Sequence, residues 1–376
     1  MDVVSLSGRS IRRALLGIGL AAGLLIVVAS PAAQSGPFGD DILRKLGFSV
    51  ADVRALHGGA AVVKRLETPV RQELAYVGVV YVDAPIERFV ERFRDIEQFA
   101  SVPGTLQIGR FNTPPRLGDL ASLTLPAKDL EALPRCHPGD CEVKLSAAAM
   151  TRFKQQVKWS APTAARQANE VAREMLLELV RGYQVNGTAA LGQYNDDDTP
   201  LSVAEQFALL TSGGQLPIPV PALMSYLDEY PRGRPPGAED FFYWAIVDFG
   251  LKPTIRVNHV TIYPLAASPS AGAAYAIAIK QLYASHYFHT TLELRFLVPD
   301  NRPGRRGFYL VSFTRSRSDG MTGFKCDPSS TGARVMPSVA TWSMSSDRSS
   351  VPPDGLLKGR VARIGASSFL SQMSSW

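Results

Sequence analysis

Three histidines, His259, His286 and His289, are the side chains best placed by type to do chemistry in this 376-residue chain. Imidazole titrates near neutral pH and is a common metal ligand. His286 and His289 are three residues apart, so in one regular strand they face opposite ways and a shared metal needs a bend between them. As single residues they suit general acid–base work, but the plainer reading is strand histidines hydrogen-bonded at a sheet. Cys136 and Cys141 bracket His137-Pro138-Gly139-Asp140. That turn signal can bring two Cα atoms within the roughly 4.4–6.8 Å a disulfide needs. Free thiols, pairing with Cys326, or a metal site using His137 are the rival readings, and the last has no fourth ligand in view. Arg302, Arg305 and Arg306 cluster in a turn-like stretch, where they can touch anionic headgroups at about 1 kcal/mol each or simply be solvated.

Familiar catalytic patterns are absent. The chain has no G-x-S-x-G elbow, S-x-x-K, H-E-x-x-H, C-x-x-C, P-loop or G-x-G-x-x-G. Thr151 and Lys154 have nucleophile–lysine spacing, but threonine is a weak substitute for serine. Asp196, Asp197 and Asp198 read as an acidic surface loop rather than a cation site. No catalytic residue, cofactor or metal is assigned from the sequence.

The elements that must carry these residues centre on residues 241–298, the densest aromatic and β-branched stretch. Ile255, Val257, His259 and Thr261 alternate with Arg256 and Asn258; Leu292, Leu294 and Phe296 alternate with Glu293 and Arg295. This alternation predicts antiparallel strands with one dry and one wetter face. Tyr243, Trp244, His259, Tyr275, Tyr283, Tyr287 and Phe288, with Phe369 downstream, are the candidate cavity liners. Upstream, residues 60–66 and 74–82 read as strands. Ile86, Phe89, Val90, Phe93, Ile96 and Phe99 recur at helical spacing. Residues 106–111 and 119–125 read as the next strands, with 141–145 a further candidate. Residues 163–184, 203–210 and 222–227 read as helices, an insertion at about 146–237. Residues 300–307 read as a hairpin tip, 308–314 as the returning strand and 356–376 as a terminal helix.

At the start, Arg9, Arg12 and Arg13 precede an apolar run over residues 14–29, followed by Ser30-Pro31-Ala32-Ala33. This is the pattern of a cleaved secretory signal. The run is shorter than the roughly 20 residues a spanning helix needs. The chain is therefore expected to be exported, periplasmic or extracellular, where a disulfide persists. Losing Arg9, Arg12, Arg13 and Asp2 lowers the net charge from +6 to +4, too mild to imply nucleic acid.

Residues 59–63, the strand after them, Val82-Asp83-Ala84-Pro85-Ile86 with its helix, and Arg94-Asp95-Ile96 resemble the opening of START-like (polyketide-cyclase/lipid-transport) proteins. Residues 311–323 before a terminal helix are similar to their close. The resemblance covers about 55–125 and 240–376. It implies an α+β helix-grip fold, an antiparallel sheet around a C-terminal helix, interrupted here by the helical insertion. The organisation it suggests is a signal over 1–33, an N-terminal extension over 34–72, and a START-like domain over 73–376. It also implies an apolar cavity for a hydrophobic small molecule, a lipid above all, with transient membrane-surface contact. Burying about 400 Å2 of such a ligand is worth roughly 10 kcal/mol gross, part of which lost motional freedom takes back. The other expectations are a cyclase- or dehydratase-type enzyme using His259 or His286, and a non-catalytic envelope interaction protein docking through the insertion.

Overall fold

The computed structural model describes residues 43–318 apart from 45, 69, 71, 213–217, 249–251, 266–273 and 301–303. The expected signal segment, Cys326, Arg302, Phe369 and the expected terminal helix lie outside the described residues. The fold is α+β, built on one eight-stranded antiparallel sheet. In chain order the strands are β1 (Val62–Leu66), β2 (Glu73–Val82), β3 (Thr105–Arg110), β6 (Glu239–Val247), β7 (Thr254–Pro264), β8 (Tyr275–Ala284), β9 (Phe288–Pro299) and β10 (Phe308–Ser318). They lie side by side as β1-β2-β10-β9-β8-β7-β6-β3. β4 (Gln193–Tyr194) and β5 (Leu201–Ser202) form a separate small pair. The strands β6 to β10 are thus a meander of hairpins, while β2 crosses back to pair with β10, Val82 opposite Phe308.

Before the sheet, α1 (Val50–His57) starts at a capping box. Asp52 N–H donates to Ser49 Oγ at 3.1 Å, and Ser49 N–H donates to Asp52 Oδ2 at 2.7 Å. After β2, the helix read from sequence over 86–99 is two pieces, α2 (Ile86–Arg94) and α3 (Ile96–Phe99). Asp95 makes the break, leaving the helical conformation and accepting from Gln98 N–H at 3.2 Å. The apolar stripe survives it. Ile86, Phe89, Val90, Phe93 and Ile96 are all buried against Val80, Phe241, Val260, Ile277, Leu297 and Phe308 of one sheet face.

Everything between β3 and β6 crosses to the other face. It holds α4 (Ala127–Ala132), α5 (Ala147–Gln156), the 23-residue α6 (Ala164–Asn186), α7 (Val203–Ser212) and α8 (Pro221–Glu229). Two expected strands do not form here. Around 119–125, the Asp119 carboxylate accepts from the N–H groups of Asn112 and Arg116, winding the chain into a 3-10 turn over Leu117–Leu120. Residues 141–145 instead hydrogen-bond to loops: Cys141 N–H to Asp196 O, Lys144 N–H to Ser285 O, and Leu145 O from Asn195 N–H. Cys136 and Cys141 form a disulfide. The helical region therefore begins soon after β3, earlier than the expected 146.

With helices on both sides, the sheet has no open face at its centre. Every residue of β10, and all but the last of β9, is buried. The wetter face expected from alternation is instead enclosed, and Arg256, Asn258, Glu293 and Arg295 are inside the protein.

Candidate functional site

Enclosed polar groups are costly unless bonded, so the α2–α3 face of the sheet is the first place to look for a ligand. Pairing aligns Tyr243 with Asn258, Asn258 with Gln281, Ile279 with Glu293, and Arg295 with Ser312. Cross-strand partners share a face, so these residues form one polar patch. Its internal bonds are few. Arg256 Nε donates to Gln281 Oε1 at 2.9 Å, Arg295 Nε to Glu293 Oε1 at 2.6 Å, and Ser312 Oγ to the same oxygen at 2.8 Å. Arg295 also stacks over the Phe93 ring at 5.2 Å and Arg256 over Phe288 at 5.9 Å. Among the described residues, Asn258 Oδ1, Gln281 Nε2, Thr291 Oγ1, Arg295 Nη1 and Thr314 Oγ1 are buried with no hydrogen-bond partner.

The patch holds two guanidiniums against one carboxylate. Burial lowers the Arg256 pKa, with Tyr243 and Glu293 opposing it, but an arginine stays protonated in proteins. The excess charge is positive. Between the patch and α3 lies a recess of about 50 Å3, whose other wall is Ile96, Phe99 and Ala100. One water takes about 30 Å3 of liquid, so the recess fits a small water cluster or a carboxylate-sized group. Ala245, Val247 and Ile279 continue its lining as an apolar floor. The arrangement has room for an anionic head, and any hydrocarbon attached to it lies outside the recess.

On the opposite face, α5, α6 and the ends of β7 and β8 line a half-open cavity of about 380 Å3. Leu125, Leu133, Val143, Phe153, Met175, Leu176, Leu179, Ile255 and Tyr283 line it, with Asp129 in its wall. A bulge between Val257 and Asn258 brings Tyr283 opposite Val257, on this helical face. Asp129 is 1% exposed and its Oδ1 accepts from His286 Nε2 at 2.9 Å. A further hollow of about 560 Å3 lies beside α7 and α8, bordered by Leu210, Met224 and Phe313.

His259 sits in a network on the same helical face that reaches the surface at Asp240, whose Oδ2 also pairs with the half-exposed Arg234 at 3.3 Å. His259 Nε2 donates to Asp240 Oδ1 at 2.8 Å, leaving Nδ1 to accept from Tyr183 O–H at 3.2 Å. Tyr226 O–H and Thr261 O–H also donate to the Asp240 carboxylate, each at 2.7 Å. Burial lowers the His259 pKa and outweighs the Asp240 bond, so the ring is neutral near pH 7. Burial pushes Asp240 up, but its bonds to His259, Tyr226 and Thr261 win and hold it below the ordinary value. The imidazole is fully buried among the Tyr183, Tyr230 and Phe242 rings. It lines none of the three hollows described above.

The other sequence candidates are dispersed. Trp244 is fully buried on the helical face, its indole N–H donating to Asp119 O at 2.9 Å. Tyr243 lines the recess, and Tyr275 packs half-buried beside the α2 cluster. Tyr287 occupies the β8–β9 turn with a φ of 59°, and its hydroxyl accepts from Lys252 N–H at 2.8 Å. Phe288 is buried at the start of β9. The turn separates His286 from His289, and no group of three or more His, Cys, Asp or Glu that could hold a metal occurs among the described residues. Arg305 and Arg306 are exposed before β10, Arg305 lying over the Tyr81 ring at 5.5 Å. Sequence reasoning missed Asp129, Arg256, Glu293, Arg295 and Lys280. Their only signal was a charged residue inside a strand or helix, which solvent exposure explains equally well. No family model matches the chain, and no curated protein or solved structure is similar to it.

Proposed function

We propose that this is an exported START-like binding protein that holds a hydrophobic small molecule bearing an acidic head. The head sits at Arg295 and Arg256; at about 50 Å3 the recess holds no more than the head, and the hydrocarbon body extends out of it past Phe99 and Val247. The observation that carries the reading is the buried polar patch. Five side-chain atoms without hydrogen bonds share one patch with two buried guanidiniums and a single buried carboxylate. Each such group costs about 1–3 kcal/mol when left unmet, and a bound carboxylate meets Arg295 Nη1 and the Thr291 hydroxyl together.

The large antiparallel sheet, with β2 returning to β10 and the amphipathic pair α2–α3 on one face, supports the helix-grip assignment. The Cys136–Cys141 disulfide and the signal-like start of the chain support export. An acid–base enzyme built on His259 has less behind it, because that imidazole is sealed from every described hollow.

The test is titration with oleate against methyl oleate, alongside native mass spectrometry of the protein as purified from its producing cells. Oleate is expected to bind at least tenfold more tightly than the ester, since a hydrogen bond to a charged group is worth about 1.5–3 kcal/mol. Arg295→Met is expected to erase the difference. Equal affinity for acid and ester, or no binding of either with a ligand-free native mass, overturns the reading.

A further inference from the structure

The 380 Å3 cavity on the helical face is a hollow that the acidic-head reading leaves unused. Small residues line its helical walls: Ala148 and Ala149 on α5, Ala172 on α6. Interiors normally close such gaps. Its volume exceeds the roughly 150 Å3 of a sealed apolar cavity that accepts benzene, and one side of it opens to solvent. Its wall is braced on several sides. Arg152 of α5 pairs with Glu174 and Glu178 of α6 at 2.6 and 2.8 Å, and the disulfide ties the segments carrying Leu133 and Val143. Met175 supplies an adaptable surface.

Ser146, Arg152, Glu178 and Gln193 also line the cavity, and Asp129 is the buried one of its charged groups. Asp129 is buried, its Oδ1 is occupied by His286, and its Oδ2 is buried with no hydrogen-bond partner among the described residues. A carboxylate oxygen left without a donor can accept one, and since almost none of Oδ2 is open here the side chain must turn slightly into the cavity to meet it. A neutral hydroxyl answers it without adding a second charge to desolvate.

We infer that the cavity between α5, α6 and the sheet is a second ligand site, which takes a compact one- or two-ring hydrocarbon carrying a hydroxyl donor for Asp129. It is independent of the recess under α3, which lies across the sheet and selects for negative charge.

The test uses the full chain, purified after export, and a matched pair of probes, 2-naphthol and 2-methylnaphthalene, followed by calorimetry and protein NMR. The expected result is saturable one-to-one binding of 2-naphthol, at least tenfold tighter than its methyl counterpart, with shifts at Tyr283 and Met175. Asp129→Asn, which puts an amide donor where the free oxygen stood, is expected to remove that preference. Ala149→Leu, which fills the hollow, is expected to abolish binding of both probes, with circular dichroism verifying the fold. Arg295→Met is expected to change neither, so loss of the oleate preference and loss of naphthol binding are separable. Failure of the unaltered protein to bind either probe, or equal affinity for the two, overturns the inference whatever the variants do.

Discussion

Lys280 offers the sharpest physical test of the fold. It lies on β8 facing the helical layer and is fully buried, with Nζ donating to Thr188 Oγ1 at 2.7 Å and Leu227 O at 2.9 Å. The ammonium also lies 3.7 Å from the centroid of the Phe207 ring. Burial draws its pKa down to about 7 from the ordinary 10.5, with Asp228 acting against the shift. Between those two values the unfolded chain holds the proton and the folded chain releases it. Stability therefore rises with pH across that window, and the penalty is fully present below the folded pKa. At about 1.36 kcal/mol per unit, with half-titration at pH 7 taken into account, the gain from pH 7 to pH 9 is about 2 kcal/mol. Lys280→Met removes the titration while keeping the volume. Urea unfolding of both proteins at pH 7 and pH 9 measures the effect, the common contributions of other groups cancelling. The stability of the natural protein relative to the variant is expected to grow by about 2 kcal/mol. A difference that stays within 0.5 kcal/mol, the usual precision of such comparisons, refutes the reasoning.

Two further perturbations probe the surroundings. His259 has a lowered pKa, so its contribution is intact above the unfolded value near 6.5 and is lost as pH falls toward the folded value. His259→Phe is expected to flatten the stability loss between pH 6.5 and pH 5 in urea unfolding, at the cost of unpaired Asp240 and Tyr183 groups at neutral pH. Cys136→Ser with Cys141→Ser opens a loop of five residues' separation, worth about 2 kcal/mol in the chain-entropy account. The double variant is expected to match the reduced natural protein in denaturant midpoint.

Much of the frame was readable because periodicity reports it directly. The stripe from Ile86 to Phe99 and the 23-residue helix follow a spacing that burial enforces, and the late strands show as β-branched and aromatic runs. The break at Asp95 and the 3-10 turn at Asp119 were not, since each hangs on one carboxylate finding particular backbone N–H groups. The polar recess was hidden for another reason. Alternation assigns Arg256, Asn258, Glu293 and Arg295 to one face but says nothing of what covers it, and helices from elsewhere in the chain do the covering. The Asp129–His286 pair joins residues 157 apart in sequence, a distance at which no local pattern operates. Tyr283 reached the helical face through a bulge that alternation cannot foresee.

The return of β2 to the far end of the meander has a kinetic consequence. The β6–β10 hairpins close over short loops and can assemble quickly, whereas Val82 has no partner strand on that side until Phe308 has been made. During synthesis from the N-terminus, β2 and the apolar stripe of α2 emerge long before the strands they pack against. The half-made chain thus presents β-branched edge and phenylalanine surface to its surroundings. Its yield is set by how well that surface is shielded until the last strand arrives.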